Sequence, residues 1–333
     1  MDSLAQDIEW TEAASRAQRR GRLSVLGVGA ATAVALFLPW VVSYYVLYLV
    51  SLIALTAVIV VGLDVLMGYT GQVSLGQAGF SAVGAYVSVL LVTRGGLPWW
   101  LSLLAAGAAA ALIGYLVGIP ALRLSPIYIA TVTFGFGQIV QIVLTHWQSV
   151  TNGPDGLAVP RPAMGALRLG GTGIYYLILL LSALLFASAF NLVRSLRGRA
   201  LVAVRDSEPG AASVGISIAR YKTWAFAFGA FYAGIGGVFY GWLTEFISPD
   251  AFGFDQSLLY VTMAIIGGLG RFWGGILGAA ILTLLGEALR PTGVYRQLTL
   301  GLCLLFFLLF MPHGMWGAGA DAIRRLRRGG REG

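Results

Sequence analysis

Apolar runs of about the length that crosses a bilayer recur along the whole chain, separated by short polar interruptions. A hydrocarbon core of about 30 Å takes about 20 helical residues. The stretch 23–62 is about twice that length, and Pro39-Trp40 in its middle is a natural break. Further runs lie near 73–93, 98–118, 126–145, 173–193, 222–243, 256–270, 274–290 and 297–311. Backbone polar groups in lipid must be satisfied within each segment, so the spans are expected to be helices. The apolar/polar alternation of an outer-membrane barrel strand is missing. The expected fold is therefore all-α, a polytopic helix bundle of about ten spans. Eight follow if the glycine-interrupted runs 256–270 and 274–290 form one span and another pair merges too.

Composition agrees: 58% of the residues are apolar and 11% charged, against about 25% charged in a soluble domain. The net charge of +8 does not point to nucleic acid, because the basic residues sit between and beyond the apolar runs with no interleaved aromatic stripe. They sort by topology instead. With the N-terminus inside, all but five of the 22 basic residues fall on cytoplasmic segments, the exceptions being Arg94, Arg161, Arg168, Arg290 and Arg296. Both termini are then cytoplasmic and the number of spans is even. The expected organisation is a cytoplasmic tail over 1–22, a transmembrane domain over 23–313 and a basic cytoplasmic tail over 314–333. An outer loop occupies 146–172, and the one sizeable cytoplasmic piece between spans is 194–221. The first 22 residues carry Asp2, Asp7, Glu9 and Glu12 ahead of four arginines, and no small-x-small site follows the first apolar run. They read as a tail leading into a retained span rather than as a signal peptide.

Several chemistries are missing. The single lysine, Lys222, is followed by Thr223 but preceded by Tyr221, so there is no phosphate-binding loop of the G-x-x-x-x-G-K-[ST] type. His146 and His313 fall on opposite sides of the membrane, and neither has a neighbouring carboxylate and nucleophile. The lone Cys303 provides no disulfide framework or cysteine metal cluster. The chain is expected to be a non-enzyme without metal or cofactor. Two carboxylates lie within spans: Glu287 has Arg290 three residues on, a helical ion pair, and Asp64 is open to a structural or a functional reading.

What remains is packing glycine and uncharged polar groups. Ala233, Gly237 and Gly241, and likewise Gly270, Gly274 and Gly278, follow at four-residue spacing, which lets helix backbones approach closely. GYTGQVSLGQAGFSAVGAY (68–86) places Gln72, Ser74 and Gln77 among glycines, and IATVTFGFGQIVQIV adds Thr131, Thr133, Gln138 and Gln141. Each glutamine is open to two readings, a pore-lining group or an interhelical hydrogen bond. Residues 41–93 outnumber what two straight spans require, and the surplus falls on GYTGQVSLGQAGF. The expectation is an unwound or re-entrant segment beside a solute path, with Gln72, Ser74 and Gln77 available to the solute.

Four blocks, in order and with plausible spacing over 41–311, resemble the permease subunit of branched-chain amino acid ABC transporters, the high-affinity leucine/isoleucine/valine uptake family. They are GLDVLMGYTGQVSLGQAGFSAVGAY, VTFGFGQIVQIVLTHWQSVTNGPDGL, GRALVAVRDSEPGAASVGISIARYKTWAFAFGAFYAG and FISPDAFGFDQSLLYVTMAIIGGLGRFWGGILGAA. The resemblance implies a bacterial inner-membrane subunit that pairs with a second, related permease. It would sit on two ATP-hydrolysing subunits and receive solute from a periplasmic binding protein. It also implies that the segment 199–220 docks on the ATPase, with Arg199, Arg205, Asp206, Glu208 and Gly215 as candidate contacts. Gln77 stands where relatives often carry histidine, and Gly275 where they often carry proline, so the substrate within the family is left open. The alternative is a self-contained secondary carrier or channel for small polar solutes such as urea or amides.

Overall fold

A computed structural model describes residues 37–122, 124, 126–164 and 167–290, together with 298, 301, 302 and 305. Both expected tails, the start of the 23–62 run, Cys303, His313 and most of the 297–311 run lie outside the described residues. The described chain falls into two compact units, 1–47 and 48–333. In the first, residues 37–41 are helical and the break comes at 42–43, just after the Pro39-Trp40 pair where it was expected.

The apolar runs are helices. In chain order they are α1 (Tyr44–Asp64), α2 (Gln77–Thr93), α3 (Trp99–Ala121), α4 (Pro126–His146), the short α5 (Gln148–Thr151), α6 (Gly171–Arg194), α7 (Leu196–Asp206), α8 (Glu208–Ser213), α9 (Ile218–Thr244), α10 (Phe254–Gly267) and α11 (Phe272–Ala288). Among the described residues, five helices are long and apolar enough to cross a membrane, and α2 and α11 are shorter apolar helices. The fold is an all-α, multi-pass membrane bundle.

Local chemistry sets several boundaries. Pro120 has no N–H to bond back to the Leu116 carbonyl, and α3 stops one residue later. The Ser195 hydroxyl accepts from the backbone N–H of Arg197 and Gly198, and Ser207 caps α8 through Gly210 N–H at 3.1 Å. The 146–172 connection is not bare loop. It holds α5, a 3₁₀ turn Gly153–Asp155 and the two-residue strands β1 (Leu157–Ala158), β2 (Ala163–Met164) and β3 (Leu167–Arg168). β2 pairs with β3, and β1 pairs antiparallel with β4 (Phe246–Ile247) just beyond α9. The connection is thereby fastened to the end of α9, and Arg161 adds an ion pair to Glu245 at 2.6 Å.

Helix α9 lies at the centre, packed most extensively on α3 and α2. Backbones meet there because side chains are missing. A Cβ on Gly84 would overlap the backbone of Gly234, and one on Gly237 would overlap the Ser81 carbonyl. Gly241 faces Val159 and Ile247 of the connections rather than another helix. Helices α10 and α11 fold back on each other, Met263 and Gly267 facing Gly278 and Gly274. The runs 256–270 and 274–290 are thus two helices rather than one. Gly270 needs correction: it is not on a packing helix but in the turn between α10 and α11, with φ of 72°. A run of three small residues has the same spacing whether or not a turn interrupts it.

Candidate functional site

The glycine-rich stretch interrupts the bundle. Past Asp64, α1 continues as a π-helical turn over Val65–Tyr69 and ends at Thr70. Gly71 takes a φ of 72°, which a Cβ would strain, and residues 71–76 are non-helical until α2 begins at Gln77. The start of this break lies beside Gly270, at one end of α10. Its far end donates the Ala78 N–H to Ser257 Oγ at 3.0 Å, near the other end of α10. The 14 residues of α10 rise roughly 20 Å, so the extended backbone covers most of that length.

Unwound backbone at such depth needs partners other than lipid. Leu75 N–H donates to Thr133 Oγ1 at 2.9 Å, and Gln72 N–H returns to Leu66 O at 3.1 Å. Thr133 is therefore a backbone clasp on α4. Gln72, Ser74 and Gln77 are buried, at 2%, 0% and 0% exposure. Ser74 Oγ accepts from Gly76 N–H at 3.4 Å. Both amide atoms of Gln72 and of Gln77 have no hydrogen-bond partner among the described residues. Each such group costs on the order of 1–3 kcal/mol.

The 194–221 connection reaches this break directly. Arg205, near the end of α7, donates from Nη1 to the carbonyl of Gly68 at 2.7 Å, and its Nε donates to Asp206 at 2.9 Å. A Cβ on Gly71 would lie 3.0 Å from Arg205 Cγ. Asp64 completes the junction: its buried carboxylate accepts the Gly270 N–H at 2.7 Å. The π-helical turn, the α10–α11 turn and the end of α7 thus meet at one place. Glu208, at the start of α8, is paired with the chain's single lysine, Lys222 of α9, at 2.6 Å. Arg199, Asp206 and Gly215 are exposed, and Gly215 has a φ of 81°. Leu196 and Val214 are apolar yet exposed on the same connection, at 76% and 73%.

Gln138 and Gln141 belong to a second place. With Thr131 and Phe134 they share one face of α4, and Phe134 meets Phe254 of α10 edge-on at 4.8 Å. The two glutamines line a cavity of about 450 Å³ together with Tyr240, Asp250, Asp255 and Tyr260. Gln256 also lines it, next in sequence to the Ser257 that holds α2. The aspartates and tyrosines were not singled out from sequence. The aspartates' signal was the polar stretch FISPDAFGFDQS between two apolar runs, which reads equally well as a solvated loop; the tyrosines sit in the runs themselves and carried none.

Residues 44–311 match the family described as "Branched-chain amino acid transport system / permease component". The chain is 33% identical over 302 residues to the high-affinity branched-chain amino acid transport system permease protein LivM of Escherichia coli, covering 83% of this chain and 71% of that protein. LivM of Salmonella typhimurium is likewise 33% identical, over 307 residues, 85% of this chain and 72% of the relative. The permease protein LivH of Salmonella typhimurium is 26% identical over 282 residues, 78% of this chain and 91% of the relative. No solved structure matches the chain. The chain belongs to this permease family, and it is a membrane transport subunit rather than an enzyme.

Proposed function

We propose that this chain is one permease of a two-permease importer for branched-chain or related small amino acids. Separate ATPase subunits drive it and a periplasmic binding protein supplies it. The observation that carries the mechanism is the hydrogen bond from Arg205 to the Gly68 carbonyl. It joins the one sizeable connection rich in basic residues to the start of the broken helix. Asp206, the exposed face of α8 and the apolar Leu196 and Val214 offer a surface to the ATPase. When the ATPases close, α7 and α8 move, and Arg205 carries that displacement to the π-helical turn at 65–69. The extended backbone of 71–76 then shifts against α4 and α10, and the unpaired Gln72 and Gln77 amides come into reach of the solute. Neither cofactor nor metal in this chain is required.

The full arrangement we propose has ten spans with both tails in the cytoplasm. α1–α4, α6 and α9–α11 supply eight, and the runs before residue 41 and over 297–311 supply two. Likeness to both LivM and LivH supports a second, related permease as the partner.

The test is reconstitution with the partner permease, ATPases and binding protein. Arg205→Ala removes a charged hydrogen bond, and uptake is expected to fall about tenfold or more while membrane insertion and subunit assembly stay normal. Normal uptake by Arg205→Ala would remove the coupling assignment. Uptake by the purified chain alone, driven by an ion gradient, would replace the reading with a secondary carrier.

A further inference from the structure

Helix α11 begins without a cap of its own. The first N–H groups of a helix need acceptors from outside it, and Arg271 at the N-cap has no side-chain acceptor to offer. The acceptors come from α1 and its π-helical turn. Asp64 Oδ1 accepts the Gly270 N–H at 2.7 Å, and the Tyr69 hydroxyl accepts the N–H of Phe272, the first residue of α11. Asp64 and Tyr69 are both buried, and they stand five positions apart. Five residues of α-helix would turn the second about 140° away from the first, whereas the i→i+5 geometry of a π-turn brings the two toward one side. The turn at 65–69 thus presents two acceptors to one helix start. Gly68 lies between them, and a Cβ there would overlap both the Asp64 carboxylate and the Gly270 nitrogen. The same Gly68 offers its carbonyl to Arg205.

The hairpin held in this way is stiff. Gly278 packs on the Met263 carbonyl and Gly274 on the Gly267 carbonyl, too closely for a Cβ at either glycine. A displacement of the α10–α11 turn therefore moves α10 as a body. Near the other end of α10, Ser257 accepts the Ala78 N–H at the start of α2, and Asp255 and Gln256 form part of the cavity wall. We propose that Asp64 and Tyr69 are positioning residues for transport: they tie the α10–α11 hairpin to the π-turn, so that a pull from Arg205 moves both ends of the 71–76 break together. Without the tie, the pull reaches the Thr70 end of the break while the Ser257 end stays with α10. This rests on the coupling reading above and adds a second arm to it. A cap that did no more than stabilise α11 would leave the link between hydrolysis and uptake untouched.

The test compares ATP hydrolysis with uptake in the reconstituted complex of both permeases, the ATPases and leucine-loaded binding protein. Asp64→Ala with Tyr69→Phe is expected to lower the leucine taken up per ATP hydrolysed about tenfold or more, while hydrolysis itself stays within about twofold of wild type. Asp64→Asn, which keeps an oxygen acceptor, should retain most of the coupling. Tyr69→Phe alone keeps the ring and its packing, so it reads the tie even where the double variant does not assemble, and a loss of about fivefold is expected. Movement is followed at a cysteine replacing Ala251, in the 3₁₀ turn Pro249–Phe252 that leads into α10, in a Cys303→Ser background. Its rate of modification by a maleimide should differ between the nucleotide-free and the vanadate-trapped complex, and the Asp64 and Tyr69 changes should abolish that difference. Uptake and hydrolysis that fall in proportion overturn the tie. So does a labelling rate indifferent to nucleotide in the wild type, or a difference that survives in the variants. Normal uptake by Arg205→Ala overturns the coupling reading itself, whereas loss of uptake there with fully coupled Asp64 and Tyr69 variants overturns the tie alone.

Discussion

Gln77 is fully buried with both amide atoms unpartnered, an arrangement that lowers stability and so isolates function from folding. Replacing the amide by an apolar side chain of similar size removes a desolvation penalty of about 1–3 kcal/mol. Gln77→Leu is therefore expected to raise the melting temperature of the purified protein by a few degrees while lowering uptake. If uptake is unchanged, the amide does not serve the path. Gly237 gives the opposite sign. A Cβ there meets the Ser81 carbonyl and, at 2.8 Å, its hydroxyl, so Gly237→Ala should cost about 1–3 kcal/mol by thermal unfolding. Gly135 of α4 is the control, because nothing lies within 4 Å of a Cβ there, and Gly135→Ala should not destabilise the chain. Both glycines look alike in sequence; only the neighbouring helix decides which one is required.

The elements themselves were largely legible. The expected spans 98–118, 126–145, 173–193 and 222–243 correspond to α3, α4, α6 and α9 with ends a few residues apart, because the hydrophobic run and the helix obey the same bilayer length. The excess length of 41–93 marked the place where the helix is broken at 71–76. What the pattern could not hold is which element answers the break. Arg205 meets Gly68 across 137 positions of sequence, and Asp64 meets Gly270 across 206. Periodicity reports how greasy a face is, not what stands opposite. The same limit hid the Glu208–Lys222 pair, which fastens α8 to α9. Lys222 is buried and Glu208 half exposed, so Glu208→Gln leaves a buried cation without its counter-charge. It should lose about 1.5–3 kcal/mol, and combining it with Lys222→Met should recover much of that loss in a double-mutant thermal series. Independent, additive losses would mean that the pair does not fasten the two helices.

At the scale of the whole molecule most of the described basic residues gather at one end. Arg197, Arg199, Arg205 and Arg220 lie on the 194–221 connection, and Arg271 is on the α10–α11 turn that its Arg205 touches. The opposite end holds Asp250 and Asp255 at the cavity, Asp155 and Glu245 on the neighbouring connections, Arg161 paired to Glu245, and Arg94 bonded to the Ser149 and Val150 carbonyls. Basic residues accumulate on the cytoplasmic side of membrane proteins. On that rule the 194–221 connection is expected on the cytoplasmic side, where the proposed coupling needs it, and the 146–172 connection on the other. Single cysteines at two exposed positions, Asp155→Cys and Ser213→Cys in a Cys303→Ser background, decide it. In intact spheroplasts a membrane-impermeant maleimide should label the first and spare the second until the membrane is permeabilised. The reverse pattern would carry Arg205 away from any cytoplasmic ATPase and overturn the coupling assignment. The proposed coupling route requires the first pattern, so this one measurement tests the route at the level of the whole molecule.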